Sequence, residues 1–149
     1  MKRSGMGHWH PGRGSPTQYF TYGPLEFNIT KALALAANSG KYKPESRFPS
    51  RDWIGPFIDI NEGYVEKSDL GKPVIFATVV MDGFPWQLLI DGNHRVAKAL
   101  NHRTEVQVVT LDLEDTLKIL RGPENILRQM KRDGQRLGLL SGGPEREGG

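Results

Sequence analysis

The sequence contains no cysteine, which excludes disulfide bonds, thiolate metal sites and cysteine nucleophiles from its chemistry. It has no apolar run near the roughly twenty residues needed to cross a bilayer, and its first residues lack the apolar stretch of a signal peptide. Neither sign of charge dominates, because 20 Lys and Arg accompany 17 Asp and Glu for a net charge of +3. These absences predict a soluble, cytoplasmic protein with no membrane partner, in which the distribution of charge matters more than its total.

A hydrophobic content of 37% in 149 residues is enough for one domain with its own core. Gly, Pro and Ser without a helical or strand period predict an irregular arm over residues 1–24, and composition predicts a disordered tail over residues 138–149. The domain is therefore expected at residues 25–137. His8 and His10 share one face of an extended arm and could bind a metal, but a site needs three or four ligands and no acidic or cysteine partner lies nearby.

Hydrophobic periodicity predicts an α/β (α+β) fold, with a small mixed β-sheet and flanking helices. Strands are predicted at residues 57–60, 74–81, 86–90 and 105–111, and helices at residues 28–37, 112–120 and 124–132. The first helix is expected to bury Ile29, Leu33, Ala36 and Ala37. The unbroken apolar run of residues 74–81 indicates burial on both faces, and Asp82-Gly83 predicts a hairpin turn into the next strand, which is also expected to be buried.

The segment Asp91-Gly92-Asn93-His94-Arg95 joins the predicted strand at residues 86–90 to a short helix. A glycine at such a junction allows close approach of a ligand, and the free N–H groups of the first helical turn attract anions. His94 and Arg95 add donors beside them. The alternative is structural: Asp91 caps the helix, Gly92 makes the turn, and the two basic residues are solvated or ion-paired.

Two basic stretches are candidates for nucleic-acid binding. Residues 41–53 interleave cations with aromatic rings, as in grooves that bind single strands, and the helix at residues 124–132 presents a basic face. The alternatives are a loop pinned to the core by Tyr42, Phe48 and Trp53, and an ordinary solvated helix face. The predicted nucleic-acid contacts are Lys41, Lys43, Arg47, Arg51, Trp53, Arg128, Lys131 and Arg132.

The chain resembles the ParB/sulfiredoxin-like superfamily over about residues 57–130. The strand-Asp-Gly-x-His-Arg-helix unit resembles its phosphate-binding element, a Gly-Glu-Arg-Arg-type box in ParB proteins and Gly-Gly-Cys-His-Arg in sulfiredoxins. Residues 105–115 resemble the strand after the ParB box, and Glu124-Asn125-Ile126-Leu127-Arg128 is similar to the ParB Glu-Asn-Ile-Gln-Arg segment. Residues 71–75 resemble the family's entry into its preceding strand.

The resemblance implies that Gly92, Asn93, His94 and Arg95 bind the phosphates of ATP or CTP. It also implies Mg²⁺, with Glu124 and Asn125 as family-matched ligands and with Asp91 and Asp59 as candidates by position. Asp91, His94 and Arg95 are then the expected catalytic residues.

Two departures restrict what the resemblance implies. Asn93 occupies the position of the sulfiredoxin cysteine, so reduction of sulfinic acids is excluded. The residues after Arg132 are too few for the helix-turn-helix domain of ParB, so a complete partition protein is not expected.

Three functions remain open at this point. The favoured one is a metal-dependent NTPase or nuclease acting on DNA. The second is a kinase of small molecules such as amino acids, which would need a closed pocket near Asp91. The third is a non-enzymatic plasmid or phage interference module that binds nucleotide, DNA or a protein partner. The sequence decides neither the nucleotide base nor the oligomeric state.

Overall fold

The computed structural model describes residues 17–55, 58 and 60–141. The elements in chain order are β1 (Tyr19–Tyr22), β2 (Leu25–Asn28), α1 (Ile29–Asn38), β3 (Glu45–Arg47), a 3₁₀ turn (Arg51–Trp53), α2 (Glu62–Val65), β4 (Val74–Met81), β5 (Phe84–Asp91), α3 (Asn93–His102), β6 (Val106–Leu111), α4 (Leu113–Ile119), β7 (Leu120–Arg121) and α5 (Glu124–Arg136). The predicted mixed α+β class is confirmed.

The main sheet has the strand order β3-β6-β4-β5, and a smaller sheet has the order β1-β2-β7. In the main sheet β4 runs antiparallel to β5 and parallel to β6, while β3 pairs antiparallel with β6. The β4–β5 hairpin turns at Asp82 and Gly83, whose φ angles of +54° and +78° suit a two-residue hairpin turn. This turn and the mixed sheet agree with the sequence prediction.

Alternate residues of β4 contribute to two separate hydrophobic clusters, one on each face of the main sheet. Ile75 and Val79 belong to the cluster that also contains residues of α1, α4 and α5. Val74 and Phe76 belong to the cluster that contains Val96 and Ala99 of α3. The predicted burial of this strand on both faces is confirmed, and α3 therefore lies on the opposite face of the sheet from α5.

Helix α1 begins as predicted, with the Asn28 side chain accepting a hydrogen bond from the Lys31 N–H at 2.9 Å. Its buried face differs from the prediction. Ile29 and Ala32 are buried, whereas Leu33 is 40% exposed and Ala37 is exposed. The apolar residues of this helix extend around more than one face, so periodicity did not decide which face contacts the sheets.

The structure differs from the sequence prediction at two boundaries and at one strand. The arm is not irregular throughout, because Tyr19–Tyr22 pairs with β2. Residues 138–141 are not all tail, because the Leu140 side chain packs against the core. Of the strand predicted at residues 57–60, Ile58 and Ile60 lie outside any strand, and the other two residues are outside the described part of the chain.

The strand predicted at residues 86–90 is only half buried. Leu89 and Ile90 are buried, but Trp86 is 54% exposed and Phe84 is 66% exposed. β5 is an edge strand of the main sheet, and these two exposed residues lie at its hairpin end, opposite Met81 and Val79. In the described ranges, no helix is long and apolar enough to span a membrane.

Candidate anion-binding site

A pocket of about 380 Å³ lies where β5 ends and α3 begins. It is lined by Tyr64, Lys72, residues 67–69 and residues 91–95. The five residues that the sequence singled out therefore line one concave surface. The volume lies in the range of sites for small organic ligands.

Gly92 connects β5 to α3 with a φ of +106°, a conformation that residues with a Cβ rarely adopt. A Cβ at this position would lie 2.6 Å from Val74 Cγ1 and 3.1 Å from Val74 Cα. Glycine is thus needed both for the turn and for packing α3 against the start of β4. This packing supports the structural interpretation of Gly92, and it also brings the first turn of α3 to the pocket.

The first turn of α3 is open toward the pocket. Its first intrahelical hydrogen bond runs from the Val96 N–H to the Gly92 carbonyl, and no side chain of the described residues caps the helix. The structural alternative in which Asp91 caps α3 is therefore wrong. Asn93 Oδ1 is buried and has no hydrogen-bond partner in the described ranges. As an acceptor, this oxygen can take a hydrogen bond from a water or from a donor group of a ligand, but not from an ionised phosphate oxygen.

Arg95 is held by the protein rather than left free to meet a ligand. Its Nη1 donates to the Pro73 carbonyl at 3.1 Å and lies 3.5 Å from Asp91 Oδ2, and its side chain is only 20% exposed. The alternative in which Arg95 is ion-paired therefore applies, because Asp91 and the entry into β4 lie beside it. The Arg95 guanidinium is always charged and has five N–H donors, so it can still donate to a ligand in the pocket. Its removal would also leave the Pro73 carbonyl without this hydrogen bond.

His94 is likewise engaged by the fold. The Asn61 N–H donates to His94 Nε2 at 3.2 Å, so Nε2 is an acceptor and the ring proton of the neutral imidazole is on Nδ1. The ring also packs edge-to-face with Tyr64, with centroids 6.1 Å apart at 89°. Any hydrogen bond from His94 to a ligand must therefore use Nδ1.

Two further residues of α3, Lys98 and His102, also contact the segment at residues 61–68. Lys98 Nζ donates to the carbonyls of Glu66 and Ser68, both at 2.9 Å, and His102 Nε2 lies 2.8 Å from a Glu66 carboxylate oxygen. His94, Lys98 and His102 are four residues apart, so they share one face of the helix. This face ties residues 61–68 to α3 and forms one wall of the pocket. Neither contact was predicted from the sequence, although the spacing of four residues is visible there.

The pocket wall contains charges that the sequence did not single out. Lys67 and Lys72 are exposed, and neither has a carboxylate within 4 Å among the residues that the structure describes. The two carboxylates of the pocket are Asp69, which accepts the Gly71 N–H at 2.8 Å, and Asp91, which is paired with Arg95. Of the described cationic side chains that line the pocket, the two lysines are therefore the ones without a carboxylate partner.

The metal ligands implied by the family resemblance are not brought to this pocket. Glu124 is 88% exposed, pairs with Arg128 at 3.1 Å, and begins α5 on the opposite face of the sheet. Asn125 follows it on the same helix. Asp59, His8 and His10 lie outside the described residues. In the part that is described, no group of three potential ligands forms a metal site.

The predicted nucleic-acid residues are spread over both faces of the main sheet. Arg128, Lys131 and Arg132 belong to α5. Of the others, Lys41 contacts α4 on the same face as α5, whereas Trp53 packs edge-to-face on Phe76 on the same face as α3. The cations and rings of residues 41–53 therefore do not form one surface with the basic residues of α5.

Within residues 41–53 the side chains differ in availability. The Arg47 guanidinium lies 5.4 Å from the centre of the Trp53 ring, and Phe48 is 66% exposed. Lys43 and Arg51 are exposed as well. Trp53 does contact the core, as the structural alternative stated, whereas Phe48 does not.

Lys41 is excluded from this basic surface, because it is part of an ionic network. Its Nζ lies 2.6 Å from Asp112 and 3.3 Å from Asp115, and Tyr42 donates its hydroxyl to Asp115 at 2.6 Å. Lys118 also pairs with Asp115 at 2.9 Å. Burial acts to raise the pKa of Asp115, but hydrogen bonds from Tyr42, Lys118 and Lys41 outweigh it and hold that pKa below its ordinary value. The hydrogen bond to Asp112 raises the pKa of Lys41.

In comparisons with known proteins, no family model, no curated protein and no solved structure matches this chain. The resemblance to the ParB/sulfiredoxin-like superfamily therefore stays a prediction.

Proposed function

We propose that this chain binds the phosphate groups of a nucleotide in the pocket at the start of α3. The observation that carries this proposal is the uncapped first turn of α3, which opens into a concave site with two lysines on its wall. Backbone N–H groups at a helix start, together with the helix dipole, favour an anion at this position. Lys67 and Lys72 supply the charge that phosphate oxygens require.

The enzymatic form of this proposal is a metal-dependent NTPase that acts on DNA. Mg²⁺ is usually held by one or two carboxylates together with substrate phosphates. Asp69 and Asp91 line the pocket and are the carboxylates suited to this role, with ATP or CTP supplying the remaining oxygen ligands. Glu124 is assigned no role here, because it does not line the pocket.

The binding proposal is tested by calorimetry with ATP and Mg²⁺. A charge-assisted hydrogen bond is worth about 1.5–3 kcal/mol, so the double variant Lys67→Ala/Lys72→Ala should lose about a hundredfold or more in affinity. The control, Lys43→Ala/Lys131→Ala, removes the same charge from two exposed positions outside the pocket. Equal losses in both variants would show attraction by net charge alone and would overturn the site.

Hydrolysis is tested separately with ATP and with a plasmid substrate, with and without EDTA. Asp69→Asn keeps the side-chain size but removes the charge, so it should abolish Mg²⁺-dependent turnover while ATP binding persists. Glu124→Gln should have the activity of the wild type. If the wild type binds ATP but neither hydrolyses it nor cleaves DNA, the non-enzymatic module replaces the NTPase.

Binding of single-stranded nucleic acid is a second candidate function. It is favoured by the Arg47 guanidinium over the Trp53 ring, beside the exposed Phe48. Cations that bind phosphates and rings that stack on bases are the two components of single-strand sites. Phe48→Ala should weaken binding of a single-stranded oligonucleotide more than binding of the same sequence as a duplex. An equal loss for both would exclude stacking.

A further inference from the structure

Tyr64 is an exposed aromatic residue at the pocket that the phosphate chemistry does not use. It is 60% exposed and lines the same cavity as Lys67, Lys72 and the first turn of α3. Exposing a large ring to water forgoes the free energy that its burial would yield. An exposed ring beside a cationic site is suited to contact a planar ligand.

The position of this ring is determined by the fold. The Tyr64 ring packs edge-to-face on His94, which is itself held by the Asn61 N–H. The backbone of Tyr64 is held too, because its N–H donates to the Asn61 carbonyl and its carbonyl accepts the Ser68 hydroxyl. The ring is thus ordered before a ligand arrives, which lowers the entropy that stacking would cost.

We infer that Tyr64 stacks on the nucleobase of the bound nucleotide, so that the ligand class is nucleoside phosphates rather than inorganic polyphosphates or phosphorylated aliphatic compounds. This inference rests on the proposed phosphate site. Every base presents a π face, so stacking distinguishes bases weakly. The affinities for ATP and CTP should therefore be similar.

The test compares ATP, CTP and inorganic tripolyphosphate, each with Mg²⁺, by calorimetry. Wild type should bind the two nucleotides about five- to a hundredfold more tightly than tripolyphosphate. Tyr64→Phe should retain this preference. Tyr64→Ala should lower nucleotide affinity to the level of tripolyphosphate and leave tripolyphosphate binding unchanged. Tyr22→Ala, which removes a 48% exposed ring on β1, is the matched control and should behave as the wild type.

The outcomes separate the two proposals. If no compound binds to the wild type, the phosphate site itself fails. If tripolyphosphate binds as tightly as ATP, the phosphate site stands and the stacking role of Tyr64 is overturned. A loss of tripolyphosphate binding in Tyr64→Ala would also overturn it, because the ring would then act by supporting the pocket. Tyr64→Leu keeps a large apolar side chain without a flat ring and should resemble Tyr64→Ala for nucleotides.

Discussion

Replacing Gly92 by alanine should destabilise the protein through two separable effects. The residue has a φ of +106°, and left-handed conformations cost a residue with a Cβ about 1–2 kcal/mol. The new Cβ would also lie 2.6 Å from Val74 Cγ1, and overpacking of a core typically costs about 1–3 kcal/mol. The expected loss in the free energy of unfolding is therefore about 2–5 kcal/mol, a large share of the stability of a typical domain.

Urea denaturation at neutral pH measures this loss, and Gly40 provides the control. Its φ is +74°, but a Cβ there would meet no atom of the described residues within 4 Å. Gly40→Ala should therefore show the conformational cost alone, about 1–2 kcal/mol. The difference between the two variants reports the contact with Val74. In a double-mutant cycle, Val74→Ala should remove the Cγ1 contact and make the two losses less than additive.

One result would refute this reasoning. If Gly92→Ala is no more destabilised than Gly40→Ala, the start of α3 does not pack closely against β4. The pocket geometry would then be wrong as well, because the same approach brings the first turn of α3 to Lys72. Phosphate binding by a fully stable Gly92→Ala variant would lead to the same conclusion.

Three further predictions concern residues outside the first turn of α3. The hydrogen bonds that lower the pKa of Asp115 stabilise its ionised form in the folded protein. Their contribution to the free energy of unfolding is therefore fully present above the ordinary pKa of 3.8 and is lost as pH falls through the folded-state pKa. Urea midpoints measured against pH should fall less steeply in this acid range for Asp115→Asn than for wild type, and parallel curves would contradict the assignment. Lys98→Met removes two hydrogen bonds to the wall of the pocket, so amide hydrogen exchange at residues 61–68 should accelerate. ATP affinity should also fall, although Lys98 does not line the pocket. Unchanged exchange would show that the wall does not depend on Lys98. Arg47→Ala should reduce the log–log salt slope of single-strand binding by about one, whereas an unchanged slope would remove Arg47 from the interface.

The elements that were predicted correctly depend on local physical chemistry. The unbroken apolar run of β4 predicted burial on both faces, and Asp82-Gly83 predicted a two-residue hairpin turn in which both residues have positive φ angles. Asn28 and Asp112 cap α1 and α4 with their own side chains. Each of these signals lies within a few residues of the structure that it specifies. The junction of β5 with α3 at Gly92 belongs to the same class.

The partners of charged side chains depended on chain segments far apart in sequence. Arg95 contacts the Pro73 carbonyl, 22 residues away, and Lys98 contacts the Ser68 carbonyl, 30 residues away. Glu124 lies on the far side of the sheet from the pocket. A helix can pack on either face of a sheet, and the local sequence pattern does not determine which face it takes.

The sequence therefore predicted where a helix start would meet a strand end, because turn chemistry and periodicity are local. Only the tertiary structure determined which charges are free at that place. Lys67 and Lys72 are available, whereas Arg95 and Lys41 are engaged. A long cationic side chain binds whichever carbonyl or carboxylate the fold brings within its reach, and that choice is made by packing across the sheet.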